Sequence, residues 1–453
     1  MLHVNSHEPL IQAGRMGDHM EALAQGRKAR RFALDNAAKL YPSVATKDWA
    51  CVYRVIVTMR SPVNCEALQR AVNHVLPRFP IMATRLRRGF FWYSLEENRA
   101  PFGIQKDTGL ICLRFGRHEN NGYLFRVLYD ENVLSVEFFH ALTDGYGSFI
   151  FTKTLVAEYL RQCGFSIPVG EGVLDIGENA SPHELEDVFL RMPLPKGGFP
   201  PNGTKAYHLT GKTMHIYSMH VAAAYLSSEV VREKAKSMGV TVTEYLAAAM
   251  LYIAVLQQKK ENPRIYQPVR ISLPVNMRKY FSTQTLRNFS YYVNPEINAE
   301  KSAMDISFED VAQEVHTFMS NALVPDYLFD RISNNVASEK MPVVRAMPLF
   351  IKNIAIRSVF KATGDRLITT TLTNLGNINL SSELLKHIEH FACVLGPPYP
   401  NPRFNASLTT TGDIMTLMFS GNLEDNSFVT EIIRFLQGRG IDASLCRIAD
   451  PAR

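Results

Sequence analysis

The 453-residue sequence has few cysteines and no long apolar run. Its six cysteines lie far apart and form neither a Cys-x-x-Cys pair nor the dense spacing of a disulfide-bonded scaffold. The longest apolar run, Tyr245 to Leu256, is 12 residues long, whereas a transmembrane helix needs roughly 20. We therefore expect no transmembrane segment and no disulfide framework, and a reducing cytoplasm is the simplest location.

Charge of one sign is not concentrated strongly anywhere in the chain. There are 49 Lys and Arg against 43 Asp and Glu, which gives a net charge of +6, and the densest basic run is only 27–31. Nucleic-acid-binding proteins normally cluster their basic residues more, so we expect no nucleic-acid partner. The first residues lack the basic start and apolar core of a secretion signal, and we interpret 1–28 as a frayed leader.

The chain also lacks internal repeats, which excludes solenoids and propellers. With 46% apolar and 10% aromatic residues, its composition is that of an ordinary globular protein, and its length favours two lobes. Six prolines and seven glycines fall within 165–214, about twice their density in the whole chain. We predict an N-terminal lobe at 29–164, a linker or lid at 165–214 and a C-terminal lobe at 215–453.

Hydrophobic periodicity predicts mixed α/β structure in both lobes. Strands are predicted at 49–59, 123–129, 133–139, 265–273, 367–372, 406–411 and 414–419, and helices near 68–76, from 147 to a stop at Gly164, and at 227–238, 242–259 and 428–436. Ser181 with Glu184, and Thr241 with Glu244, have the spacing of capping boxes, so a helix is expected to begin at each.

Among 13 histidines, His140 is placed unlike the others. Leu134, Val136 and Phe138 share one face of a predicted strand, and His140 continues that apolar face at the end of the strand. A turn with two glycines follows before the next predicted helix, which is a common place for a catalytic group. The alternative is that His140 is a core histidine bonded to a carbonyl and that Asp144 merely caps the turn.

The segment His140-Ala141-Leu142-Thr143-Asp144-Gly145 resembles the His-x-x-x-Asp-Gly signature of thioester-dependent acyltransferases. This superfamily includes chloramphenicol acetyltransferase, the plant BAHD enzymes and the condensation domains of peptide synthetases. Segments similar to those of its members lie at 34–42, at 78–86, at 274–278, which resembles an Asn-x-Arg segment of condensation-type members, and at 373–378. The resemblance runs from about 32 to 437 and is closest to the alcohol acetyltransferase branch.

Two features of known members are missing. The BAHD motif Asp-Phe-Gly-Trp-Gly is absent, and no carrier-protein or adenylation module accompanies the sequence. We therefore expect neither a plant BAHD enzyme nor a piece of a synthetase. The resemblance implies a two-lobe chloramphenicol acetyltransferase-like fold, with mixed sheets flanked by helices and an active-site tunnel between the lobes.

The resemblance also implies roles for individual residues. His140 would be the general base that takes the proton from an acceptor hydroxyl or amine as it attacks an acyl thioester, because an imidazole titrates near neutrality. Asp144 would turn away and pair with an arginine to hold the loop; Arg278 is the candidate partner, unless it is a surface cation. Gly145 would let the backbone approach the substrates closely, unless it is a simple turn glycine.

In the second lobe, Thr373 and Asn374 are candidates to hydrogen-bond the substrate or the developing oxyanion, although turn chemistry also explains an asparagine here. The expected reaction transfers an acyl group from acyl-CoA, as a cosubstrate, to a small alcohol without a bound cofactor. The alternatives are an amide-forming enzyme with an amine acceptor, an enzyme that takes its acyl group from an acyl carrier protein, and a non-catalytic member that binds a ligand or partner.

Other kinds of site are not indicated. His387 and His390 are spaced i, i+3 on a predicted helix, but no third ligand is positioned by the sequence, so we expect no metal site. Gly170-Glu171-Gly172 has no strand before it and is therefore not a dinucleotide fingerprint. The absence of Gly-x-Ser-x-Gly argues against an α/β-hydrolase.

Overall fold

The structure is a computed structural model, and it describes residues 29–46, 49–116, 119–192, 203–215, 218–262, 264, 266–397, 401 and 403–449. The predicted leader at 1–28 lies outside these residues. The described part of the chain is mixed α/β, with one sheet of five strands, one of eight and a small sheet of three.

The elements of the first half are the strands β1 (Arg31–Ala33), β2 (Val52–Met59), β3 (Thr84–Arg88), β4 (Tyr93–Glu97), β5 (Gln105–Lys106), β6 (Phe125–Asp130) and β7 (Val133–Phe139), and the helices α1 (Leu40–Val44), α2 (Cys65–Val75) and α3 (Gly145–Gln162). The strands of the second half are β8 (His220–Ser227), β9 (Val269–Asn276), β10 (Ser290–Val293), β11 (Glu296–Ile297), β12 (Thr370–Asn377), β13 (Ile388–Leu395), β14 (Phe404–Thr411), β15 (Ile414–Gly421) and β16 (Ser444–Ala449). The helices of the second half are α4 (Ser228–Ser237), α5 (Val242–Glu261), α6 (Ala299–Ala303), α7 (Phe308–Ala322), α8 (Pro325–Lys340), α9 (Pro342–Ala346), α10 (Leu349–Val359), α11 (Ser382–Leu385) and α12 (Ser427–Gly438).

The five-stranded sheet of the first lobe has the order β13-β2-β7-β6-β5. The predicted hairpin is confirmed, since β6 and β7 pair antiparallel with Val127 opposite Val136. The predicted helices α2 and α3 are also present, and α2 buries its apolar stripe, including Leu68 and Val72. Gly164, which has a φ of +95° that favours glycine, follows the end of α3 as predicted. Local patterning therefore accounts for the framework of this lobe.

The Pro- and Gly-rich segment contains two short 3-10 helices, Pro182–Leu185 and Val188–Arg191. Ser181 caps the first of them by accepting a hydrogen bond from the amide of His183, as predicted. Glu184 does not complete a capping box, because its carboxylate accepts two hydrogen bonds from Arg78, at 2.6 and 2.8 Å. The buried guanidinium of Arg78 thus outcompetes the local backbone amide for this carboxylate.

The eight-stranded sheet of the second lobe has the order β10-β9-β12-β14-β15-β8-β16, with β11 paired to β9. β12 runs parallel to both neighbours, and the other pairs are antiparallel. The predicted capping box of Thr241 and Glu244 opens α5, which is buried along most of its length. β9 begins at Val269, after Pro268, which has no amide hydrogen to donate to a ladder. The predicted start at 265 lies outside the described residues, and 266–268 are not in a strand.

Strand β13 comes from the second half of the chain but lies in the five-stranded sheet of the first half. β13 pairs antiparallel with β2, with Phe391 opposite Val57, and the side chain of Thr409 on β14 donates a hydrogen bond to the Phe391 carbonyl. β13 therefore joins the two large sheets. The division of the chain at 165–214 remains a prediction. A strand of the predicted C-terminal lobe pairs with a strand of the predicted N-terminal lobe.

The helix predicted for His387 and His390 is wrong. His390 lies in β13, where its Nε2 is 3.1 Å from the Thr58 hydroxyl and 3.2 Å from the Tyr225 hydroxyl. This segment forms a strand because it pairs with the edge of β2, and the short sequence pattern could not reveal that partner. No single helix in the described residues is long and apolar enough to cross a membrane; α4 and α5 pass that test only as a pair bent by 79°.

Candidate active site

His140 lies at the end of the central strand of the first sheet. Its backbone amide donates to the Cys51 carbonyl at 2.9 Å, which continues the pairing of β7 with β2 by one residue. The chain then turns, and α3 begins at Gly145 with Asp144 as its N-cap. The strand, turn and helix predicted from the sequence therefore hold His140 on a short, rigid connection.

The imidazole of His140 is held between aromatic rings and an amide. It stacks on Tyr41 with ring centroids 4.3 Å apart and lies 4.9 Å from the tilted ring of Tyr53. Its Nδ1 donates to Oδ1 of Asn288 at 3.2 Å, because that oxygen can only accept. In the neutral ring Nε2 is then unprotonated, and the side chain remains partly exposed. This nitrogen is free to accept a proton from a bound molecule.

Burial lowers the pKa of His140 below its usual value. Hydrogen bonds to its own backbone and to Asn288, and the charge of Asp144, act in the opposite direction but are outweighed. The imidazole is therefore neutral at neutral pH, which is the state that a general base requires.

The carboxylate of Asp144 bonds to the second half of the chain as well as to the start of α3. Its Oδ2 accepts hydrogen bonds from Nη1 of Arg278 and from the amide of Phe289, both at 2.8 Å, while Oδ1 caps α3 through the amide of Gly147. The predicted pair of Asp144 and Arg278 is thus present. Asp144 is the cap of α3 as well as the partner of Arg278.

Arg278 is a buried cation rather than a surface one. Besides Asp144, its guanidinium donates to the carbonyls of Thr285 and Arg287, and it lies 4.5 Å from the ring centroid of Tyr146. The hydroxyl of Thr143 on the motif turn also donates to the Leu286 carbonyl, at 2.6 Å. The loop after β9 is therefore fixed to the motif turn by several hydrogen bonds.

A second buried ion pair lies beside His140, and the sequence did not reveal it. Asp35 Oδ2 is 3.5 Å from Nε of Arg287, next to Asn288. Burial raises the pKa of Asp35 to about 6, although the charge of Arg287 opposes the shift. Asp35 falls in a segment that resembles the superfamily, but no signal marks Arg287 or Asn288, because they lie in a loop whose position depends on distant contacts.

The segment around Thr373 and Asn374 approaches the motif turn. A Cβ added to Gly145 would lie 2.5 Å from Cδ2 of Leu375, so Gly145 permits close packing of the two halves. Asn374 donates to the hydroxyl of Thr243 at 2.7 Å and accepts from the amide of Gly376 at 2.8 Å. The turn chemistry considered for Asn374 is therefore present, and both Thr373 and Asn374 are partly exposed.

We expect Gly147→Ala to lower stability by about 1–3 kcal/mol, as overpacking does. The added Cβ would overlap the Leu286 carbonyl oxygen and the Thr143 hydroxyl. Gly145→Ala should lower stability less, because the end of the Leu375 side chain can move. Combining it with Leu375→Ala should remove the steric overlap. Gly103→Ala is the control, since nothing lies within 4 Å of its Cβ position. Equal melting temperatures for the Gly147 and Gly103 variants would contradict the described packing.

No protein-family model and no curated protein sequence matches the chain. Solved structures do. F. graminearum TRI101 complexed with coenzyme A and deoxynivalenol is 12% identical, with 90% of this chain and 97% of that chain covered and a TM-score of 0.60. TRI3 trichothecene 15-O-acetyltransferase from Fusarium sporotrichioides is 10% identical, with 90% and 95% covered and a TM-score of 0.57.

A mutant starter condensation domain of rhizomide synthetase RzmA, in complex with C8-CoA, is 13% identical, with 93% and 96% covered and a TM-score of 0.55. At these identities the likeness shows the fold. The chain has the two-lobe chloramphenicol acetyltransferase-like fold, with mixed sheets flanked by helices, as the resemblance implied.

Proposed function

We propose that the protein is an acyltransferase that moves an acyl group from acyl-CoA to a small alcohol, with His140 as general base in a tunnel between the lobes. The observation that carries the proposal is the His140 ring, which is partly exposed, fixed through Nδ1 by Asn288 and made more acidic by burial. Among the solved structures with this fold are an acetyltransferase and complexes with coenzyme A or acyl-CoA.

In the proposed reaction Nε2 of His140 takes the proton of the acceptor hydroxyl while its oxygen attacks the thioester carbonyl. The tetrahedral intermediate then breaks its C–S bond, and the imidazolium returns the proton to the departing thiolate. One C–O bond forms, one C–S bond breaks, and no covalent enzyme intermediate is needed.

The other predicted residues support this step without proton transfer. Asp144 and Arg278 shape the site by holding the motif turn against the second half, and Gly145 permits that contact. Thr373 and Asn374 are the candidate substrate-binding residues. The amide nitrogen of Asn374 has two hydrogens, of which Thr243 uses one, so the other is available to a substrate oxygen.

The test is thiol release from a panel of acyl-CoAs, with and without added alcohols and amines. We expect thiol release that depends on an alcohol and an ester product identified by mass spectrometry. An amide product would favour the amide-forming alternative. Turnover only with an acyl carrier protein would mean that the carrier protein, and not acyl-CoA, is the acyl donor. Absence of transfer from every thioester would support a non-catalytic binding protein.

We expect the rate to depend on the protonation state of His140. Because burial lowers its pKa, kcat/KM should rise with pH through a midpoint below the ordinary histidine value of about 6.5 and be level above pH 7. The sign follows from the role of the neutral ring as the base. A rate that falls as the pH rises from 5 to 7 would contradict it.

Asn288→Ala tests whether this residue positions the ring. The bond to Asn288 raises the pKa of His140, so its loss should move the pH midpoint lower still and should decrease kcat. Asn120→Ala is the matched control, because Asn120 is also a buried asparagine, but it bonds backbone carbonyls away from His140. An unchanged pH midpoint in the Asn288 variant would assign that residue a structural role only.

A further inference from the structure

Several large apolar side chains are exposed on α9, α10 and the adjoining turn between β3 and β4. Phe350 is 58% and Ile354 is 63% exposed. The exposed apolar side chains of this surface, which we call the α10 surface, are Phe90, Phe91, Met341, Val343, Phe350, Ile351 and Ile354. Contiguous exposed apolar side chains of this kind normally mark an interaction site.

Helix α10 is apolar on both its inner and its outer side. Leu349 and Ile356 face the protein, where Ile356 packs against the core of the first lobe. Phe350 and Ile354 are spaced i, i+4 on the other side and face outward. A helix with apolar side chains on two sides normally has both sides covered, whereas no described residue covers Phe350 or Ile354.

The elements that carry the α10 surface are connected to one another by hydrogen bonds. The amide of Leu349 donates to the Phe90 carbonyl at 2.8 Å. The buried Lys352 ammonium donates to the carbonyls of Phe91 and Arg345 and lies 3.6 Å from the ring centroid of Trp92. One lysine thus holds α9, α10 and the turn together.

The charged side chains on this part of the chain are mostly basic, although Glu339, just before Met341, pairs with Lys39. From 341 to 364 the sequence has four basic residues and no acidic one. Arg345, Arg357 and Lys361 are exposed, and so is Arg88 at the β3–β4 turn. The Nε of Arg357 donates to the Ser43 carbonyl on α1, so Arg345, Lys361 and Arg88 are the cations that flank the apolar side chains. Apolar side chains flanked by cations are the pattern that binds the headgroup region of an anionic bilayer.

We propose that the α10 surface docks on a membrane that contains anionic lipids, with Phe350 and Ile354 inserted among the acyl chains and the basic residues at the headgroups. Helix α10 packs on α1, whose Tyr41 stacks on His140. Docking would therefore bring the candidate active site close to the lipid. The proposal does not depend on the reaction proposed above.

The test is co-sedimentation of the full chain with vesicles of phosphatidylcholine, with and without roughly 30% phosphatidylserine as the anionic lipid. We expect binding that is strong only with phosphatidylserine and that falls as salt is raised. Ile354→Gln and the charge reversal Arg345→Glu with Lys361→Glu should each reduce the bound fraction several-fold. His140→Ala should bind like the unchanged protein, which separates this proposal from the proposed function.

Matched controls are available on other helices. Leu256→Gln removes an exposed apolar side chain from α5, and Arg232→Glu with Lys236→Glu makes the same charge change on α4; both should leave binding unchanged. Equal binding of the test and control variants would overturn the proposal. So would sedimentation equilibrium that shows a dimer which Ile354→Gln dissociates, because a second copy would then cover this surface.

Discussion

His140→Ala is expected to lose about 100- to 10,000-fold in turnover, the range typical for loss of a general base. The substitution removes the group that accepts the hydroxyl proton in the proposed reaction. It leaves the backbone bond of residue 140 to Cys51 and the ion pair of Asp144 with Arg278 in place. Steady-state turnover and the thermal unfolding midpoint measure the two effects separately.

His390→Ala is the matched control for this experiment. His390 is also partly buried, and its ring also bonds to neighbouring side chains, those of Thr58 and Tyr225. It lies in β13, so its loss should cost stability but little turnover. If both histidine variants keep full turnover, His140 is not the base. If both lose turnover in proportion to their stability, the loss reflects folding and not proton transfer.

The motif turn was predictable because its signals are local. Alternation of apolar residues in β7, two glycines and a capping aspartate specify a strand, a turn and a helix without reference to the rest of the chain. The capping box of α5 and the hairpin of β6 and β7 were predictable for the same reason. Assigning Arg278 as the partner of Asp144 needed the resemblance, because the two residues are 134 positions apart.

The rest of the site depends on contacts that the sequence does not record. Asn288 and Arg287 lie in a loop that is positioned by the backbone groups it offers to Thr143 and Arg278. Tyr41 meets His140 only because α1 packs across the end of the first sheet. The strand β13 has a short pattern that suits either a helix or a strand, and the edge of β2 decides between them.

The second large effect is expected from breaking the pair of Asp144 and Arg278. Their side chains are only 4% and 7% exposed, so removal of one partner leaves an uncompensated buried charge or an unpaired donor. Such a change typically costs about 3–5 kcal/mol. Asp144→Asn is the appropriate variant of the acid because the amide oxygen still caps α3. Arg278→Met removes the cation and keeps most of the side-chain length.

The double variant should lose less stability than the sum of the two single losses, because neither partner is then left charged and alone. A coupling free energy of about 1–3 kcal/mol is expected, since contacting residues do not behave additively. The exposed pair of Glu383 and Lys386, changed to Gln and Met, is the control and should show coupling below about 0.5 kcal/mol. Denaturant unfolding of each variant gives the free energies. Strict additivity for Asp144 and Arg278 would mean that the two halves are held together by the other hydrogen bonds of the 285–289 loop, and that this ion pair does not clamp the motif turn.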